Sequence, residues 1–197
     1  MEDSEIIKNF LRKKGILNLD KHKQLVEVVK AIAEIPWGEG RSIEEALLTK
    51  KVGTCTGKHL VLQACFDELG IKYKPIVCTF RWIEQGVKYP EDLKKILNEG
   101  SWEHGHNFVQ IEKEGRNIDL DITWNSKLKL YGFKTFPSNW DGKTDFIGVD
   151  KIIRRWDGVS IGSMKKELIE SLEPEVRERR EKFLKKFIEW IDSINTN

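Results

Sequence analysis

The stretch Val52-Gly53-Thr54-Cys55-Thr56-Gly57-Lys58-His59-Leu60 most narrows what this chain can become. Val61, Leu62, Cys65, Phe66 and Leu69 follow at helical spacing, and Gly70 then ends the pattern before a strand-like run opens at Ile71. The spacing predicts a buried helix that starts at Cys55. Phe66 and Ile71 are placed to make the hydrophobic contact of a Schellman ending around Gly70. A thiol at a helix N-terminus faces the positive end of the helix dipole, which favours thiolate over thiol. The flanking glycines let another segment approach the sulfur closely. A cysteine here also fits as a small buried apolar residue, so the choice rests on what lies downstream.

About fifty residues later, positions 104–124 read as a β-hairpin. Val109 and Ile111 alternate with Phe108 and Gln110. Glu114-Gly115 turns the chain, and Ile118, Leu120 and Ile122 alternate with Asp119, Asp121 and Thr123. One face is apolar; the other carries His104, His106, Phe108, Gln110, Asp119, Asp121 and Thr123. A two-residue loop puts His106 opposite Thr123 with Asp121 as its diagonal neighbour, and an odd loop would separate them. A nucleophilic cysteine needs a base and the base needs an orienting acceptor. Cys55, His106 and Asp121 supply those three types from two elements that can pack together. His104 competes with His106, and Asp119 with Asp121, because each shares the relevant face.

The remainder is read more coarsely. Residues 3–14 form a helix ending near Gly15, and Asp20 caps a second whose apolar face ends at Pro36. Ser42 and Glu45 make a capping box ahead of a short helix through Leu48. Residues 71–83 read as a strand, and 84–105 as an insertion whose helix starts at Pro90. From 126 to 162 the pattern weakens to short strand-like runs, 145–149 and 151–156. The tail, 163–195, is helical: Met164–Leu172, then a long helix from Pro174 with a wide stripe of Phe183, Leu184, Phe187, Ile188, Trp190, Ile191 and Ile194. That stripe must be buried, and packing within the same chain is the expectation.

A length of 197 residues suits one domain with a sizeable core. Charged residues make up 34% of the chain, yet the net charge is only +2, so the charges are mixed. That argues against a dedicated nucleic-acid surface. Three cysteines without tight spacing do not suggest a disulfide framework. The acidic start Met1-Glu2-Asp3-Ser4-Glu5 lacks the features of a signal peptide, and no apolar run reaches the ~20 residues that span a bilayer. The expected location is the cytoplasm, with no membrane partner.

Three blocks, in order, resemble the transglutaminase-like superfamily. Gly53-Thr54-Cys55 followed by a helix ending Asp67-Glu68-Leu69-Gly70-Ile71-Lys72-Tyr73 is similar to that family's cysteine segment. His106-Asn107-Phe108-Val109-Gln110-Ile111 resembles its His-Ala-Trp-Val-Glu-Val strand, and Leu120-Asp121-Ile122-Thr123-Trp124-Asn125 its Val-Asp-Pro-Thr element. Phe108, Gln110 and Ile122 depart from the family's Trp, Glu and Pro, beside rather than on the three key positions. The resemblance covers about residues 30–125. It implies an α+β fold with a papain-like, transglutaminase-like core, a cysteine-bearing helix packed on an antiparallel sheet, here with extra N- and C-terminal helices. It further implies Cys55 as nucleophile, His106 as base and then acid, and Asp121 as orienter. Trp37 and the backbone N–H of Cys55 are the candidates for oxyanion donor.

The activity that follows is thiol-dependent acyl transfer on a peptide, protein or small amide or ester. No cofactor or metal is called for, and hydrolysis is favoured over cross-linking because no acidic calcium cluster stands out. Two alternatives remain. One is a binding module that keeps the triad residues in a covered cleft. The other is a zinc site built from Cys55, His59, His104 and His106, which pair on a helix face and a strand face.

Overall fold

The structure is a computed structural model and describes residues 2–196. The cysteine helix forms as its periodicity requires. α3 spans Cys55–Leu69, with Thr54 as N-cap accepting the Gly57 N–H at 3.2 Å. Gly70 closes it with φ of 69°, and Ile71 N–H donates to the Phe66 carbonyl at 2.8 Å, the long bond of a Schellman ending. Two helices precede it, α1 (Asp3–Lys13) and α2 (Lys21–Ala33), the second capped by Asp20.

A four-stranded antiparallel sheet follows, made of β1 (Tyr73–Phe80), β2 (His104–Lys113), β3 (Arg116–Leu120) and β4 (Arg154–Asp157) in the order β3-β2-β1-β4. The fold is therefore α+β. Lys113 pairs with Arg116, so the hairpin loop has two residues, and Glu114 (φ 53°) and Gly115 (φ 74°) give it the primed geometry that suits strand twist. The even loop keeps the predicted faces. Val109, Ile111, Ile118 and Leu120 join Val61, Leu62, Cys65 and Phe66 of α3 in the larger core, together with α1 and α2.

The hairpin is shorter than the sequence pattern indicates. Strand pairing stops at Leu120, beyond which the Ile122 N–H turns to His59 Nε2 at 3.3 Å, while Asp121 N–H donates to the Phe146 carbonyl and Phe146 N–H to that of Asp119. The run at 145–149 thus contributes one bridge at Phe146 rather than a strand. Pairing with β1 confines the run at 151–156 to β4. In the Ser42–Glu45 cap, Ser42 Oγ accepts the Glu45 N–H at 3.1 Å, but the Glu45 carboxylate reaches the Arg41 N–H at 2.7 Å instead of that of Ser42. The turn continues as a wide π turn over Glu45–Thr49.

The insertion holds α4 (Glu91–Asn98), and the tail holds α5 (Ile161–Glu170) and α6 (Pro174–Thr196). Phe183, Phe187, Ile191 and Ile194 of α6 are buried in a second core with Trp37, Trp82, Trp102 and Trp124. The rest of the stripe, Leu184, Ile188 and Trp190, packs half-buried against the same core, so the stripe meets its own chain. No helix among the described residues is long and apolar enough to cross a membrane.

Gly57 fixes how α3 meets the loop before it. A Cβ at Gly57 would lie 2.2 Å from the Gly40 carbonyl oxygen, a backbone atom that cannot swing aside. Gly40 itself accepts the Thr54 N–H at 2.8 Å, so the loop is tied to the residue ahead of Cys55. Gly57→Ala is expected to cost about 1–3 kcal/mol by overpacking, read as a lower midpoint in urea unfolding.

Candidate functional site

Cys55 is the first residue of α3, and the N–H groups of a helix's first turn have no acceptors within the helix. His106 is placed by β2, opposite Cys78 of β1. Its Nε2–H donates to Asp121 Oδ2 at 2.6 Å. The Cys55 thiol is near enough to the same imidazole for each to shift the other's proton affinity, and because Nε2 is engaged by Asp121, Nδ1 is the nitrogen left for the sulfur. Asp121 is fully buried and fully used. Besides His106, it accepts from Gly148 N–H (3.0 Å), Thr123 N–H (3.1 Å) and Thr123 Oγ–H (2.6 Å). The departure of the chain from β2 at Asp121 is what frees this carboxylate to collect donors from three segments.

The structure also separates the competitors. Asp119 is held by the guanidinium of Arg155 and by Gln110 Nε2 at 2.8 Å, on the outer part of the hairpin. His104 packs its ring against Phe80 and Trp82, with centroids 5.4 and 5.0 Å away, and its buried Nδ1 has no partner. Burial, with Arg180, Lys165 and His106 nearby, holds it well below the usual imidazole range, so it is neutral. His59 is consumed by backbone. Its Nδ1 lies 2.7 Å from the Cys55 carbonyl, and its Nε2 accepts the Ile122 N–H at 3.3 Å. Burial lowers it to about 4. Among the described residues no three His, Cys, Asp or Glu side chains form a group that could hold a metal. Trp37 stands in the wall of the cleft at Cys55, its ring packed on Trp124 and Phe187.

One residue of the site carries no sequence signal of its own. Lys165 of α5 brings its ammonium to Cys55 Sγ (3.2 Å), Thr56 Oγ1 (2.9 Å) and Asn107 Oδ1 (2.5 Å). The trace it leaves is Gly105, between the two strand histidines. A Cβ there would lie 3.3 Å from Leu168 and 3.4 Å from Lys165, so the missing side chain lets α5 approach β2. A second hidden lysine, Lys58, is fully buried one turn into α3. It donates to the carbonyls of Ala33 (2.8 Å) and Thr123 (3.0 Å) and so ties α2 to the segment that carries Asp121. Burial lowers it to about 7, opposed by Glu34 and Asp121.

The electrostatics follow from these contacts. Burial pushes the Cys55 thiol up, but the Lys165 ammonium and the nearby His106 outweigh it and hold the thiol at about 6. For His106, burial disfavours the cation, and Asp121 together with the sulfur raises it to about 9. Asp121 is opposed by burial and held far below the usual carboxylate range by His106. Between those limits the two shifts favour the thiolate–imidazolium form of the pair. Cys65 and Cys78 are buried without such partners, and burial raises both thiols. A cleft of about 680 Å³ opens at Cys55, walled by Thr54, Thr56, His104 and Gly105 on one side and by α5 and α6 on the other. Neither a family model nor a curated protein matches the chain.

Proposed function

We propose that this chain is a thiol-dependent acyl-transfer enzyme with a transglutaminase-like, papain-like core, and that Cys55, His106 and Asp121 form its catalytic triad. The observation that carries the reading is the chain of contacts from Asp121 through His106 to a thiol at a helix start beside an open cleft. The Cys55 thiolate attacks an amide or ester carbonyl, forming a C–S bond and an oxyanion. The oxyanion collapses, the bond to the leaving group breaks, and His106 gives that group its proton. Neutral His106 then takes a proton from water as the water oxygen attacks the thioester. The C–S bond breaks, and the acid and the thiolate are released. The free N–H at the first turn of α3 points the positive end of the helix dipole at the developing oxyanion. Lys165 neutralises the thiolate before attack. Trp37 supplies a rigid apolar wall for the substrate.

The test is the pH dependence of Cys55 alkylation by iodoacetamide, followed by mass spectrometry. Half-maximal rate is expected near pH 6, where burial is outweighed by Lys165 and His106, against about 8.5 for an ordinary thiol. Cys65 and Cys78 stay unlabelled at the same pH. Lys165→Met moves the midpoint upward. The contact of Lys165 with Sγ also supports a second reading, a binding module with its thiol covered. Absence of labelling below pH 9, in a chain that unfolds cooperatively, would decide for that reading against the enzyme.

A further inference from the structure

The walls of the cleft at Cys55 hold more cationic than anionic side chains: Arg41, Lys165, Lys166, Arg177 and Arg180 against Glu39, Glu170 and Glu181. Most of these charges are already committed. Glu39 lies 3.8 Å from Arg41, and Glu170 lies 3.7 Å from Lys166. Arg177 uses Nη2 on the carbonyls of Glu170 (3.0 Å) and Leu172 (3.3 Å), which fastens the turn between α5 and α6, while its buried Nε has no partner. Lys165 is held by Cys55, Thr56 and Asn107.

Arg180 is different. Among the described residues it makes no hydrogen bond and no ion pair, although it is half-buried in α6. Burial and the neighbouring Arg41 disfavour its charge, and only the adjacent Glu181 favours it. A half-buried guanidinium without a protein acceptor is matched best by a planar, bidentate acceptor. The rest of the wall near it, Ile169, Leu184 and Ile188, is apolar. Acylation adds to the imbalance. Once the thiolate has become a neutral thioester, Lys165 loses its one anionic neighbour, and two cations face the acyl group.

We propose that the cleft is a carboxylate site: the acyl donor carries a carboxylate on a short aliphatic stem, and Arg180 binds it while the scissile carbonyl meets Cys55. This rests on the acyl-transfer reading above. Arg180 is then a specificity-determining residue, and the preferred substrates are amides or esters of dicarboxylic or acidic amino-acid type.

Two alkylating reagents of nearly equal size but different charge test this. Cys55 is labelled with iodoacetate and with iodoacetamide near neutral pH, each rate divided by that of glutathione in the same buffer. The normalised iodoacetate rate is expected to exceed the iodoacetamide rate by about tenfold or more, the worth of a charge-assisted hydrogen bond. The imidazolium and Lys165 contribute to that preference, so the deciding arm is Arg180→Gln, in which the ratio falls by about tenfold. Arg180→Lys retains part of it. Glutarate is expected to protect wild-type Cys55 from iodoacetamide more strongly than sodium chloride at matched ionic strength, a measurement that needs no variant. Rapid iodoacetamide labelling with an unchanged ratio in Arg180→Gln and no glutarate protection would overturn the carboxylate site and leave the acyl-transfer reading standing. No labelling by either reagent would overturn both.

Discussion

On the proposed acyl-transfer reading, Cys55→Ala is expected to abolish turnover, and His106→Ala to lower kcat by about three to four orders of magnitude, the scale on which members of such a unit act. The same reading predicts a bell-shaped pH profile for the wild type, set by the two pKa values. The acid limb belongs to Cys55, whose thiol is pushed up by burial and held down more strongly by Lys165 and His106, so the thiolate persists above about pH 6. The alkaline limb belongs to His106, where burial is overcome by Asp121 and the sulfur, so the proton needed by the leaving group is retained up to about pH 9. The profile is therefore broad and flat across neutrality. His106→Ala removes the alkaline limb, since no group remains to supply that proton, and moves the acid limb upward, since the thiolate loses one of its two cations. Initial rates on an activated ester across pH 5–10 check both limbs. A variant lacking His106 that kept wild-type kcat would exclude the imidazole from the reaction.

How much of this was legible from residues alone follows the range of the interactions. The helix at Cys55 and the hairpin were legible because each is set by local periodicity and local turn chemistry: Thr54 and Gly70 bound the helix, and Glu114-Gly115 fixes an even register. Given that register, the meeting of His106 and Asp121 followed, although the strand itself ends one residue earlier, at Leu120. The choice between His104 and His106, or between Asp119 and Asp121, was not local. Arg155, 36 residues from Asp119, takes that carboxylate out of play. Phe80 and Trp82 enclose His104 in aromatic surface. Lys165 was invisible for the same reason. It is one of 34 lysines and arginines and meets Cys55 across 110 positions of sequence. Lys58 was hidden by its own type. A lysine inside an apolar run reads as a solvated interruption, and only the unsatisfied carbonyls of Ala33 and Thr123 explain why it points inward.

Asp121→Ala is expected to be the most destabilising single change in the site, at about 3–5 kcal/mol, the cost of breaking a buried charge pair by removing one partner. The loss has identifiable parts. The His106 ring is left without its acceptor at 2.6 Å, and the N–H groups of Gly148 and Thr123 and the Thr123 hydroxyl lose theirs, all in a region closed to water. The pH dependence separates this from a simple cavity. Asp121 is opposed by burial but held far below the usual carboxylate range by His106, so its contribution is present above about pH 4, where the unfolded carboxyl ionises, and is lost as pH falls toward the folded value. His106 is raised to about 9, with burial opposing and Asp121 favouring the cation. Its contribution is complete below about pH 6.5 and is lost as pH rises through 9. The stability gap between wild type and Asp121→Ala, from urea unfolding, should thus be largest between about pH 4 and 6.5 and shrink on both sides. Asp121→Asn keeps the volume but replaces one of the two acceptor oxygens by an NH₂, so His106 and Gly148, which share Oδ2, and the Thr123 N–H, which uses Oδ1, cannot all be satisfied. It is expected to fold with a smaller loss of stability and still lower kcat by about four orders of magnitude, as the equivalent change does in a serine-protease triad. A gap in stability that stayed constant from pH 4 to 9 would mean that Asp121 fills space without pairing with His106, and the triad would lose its orienting member.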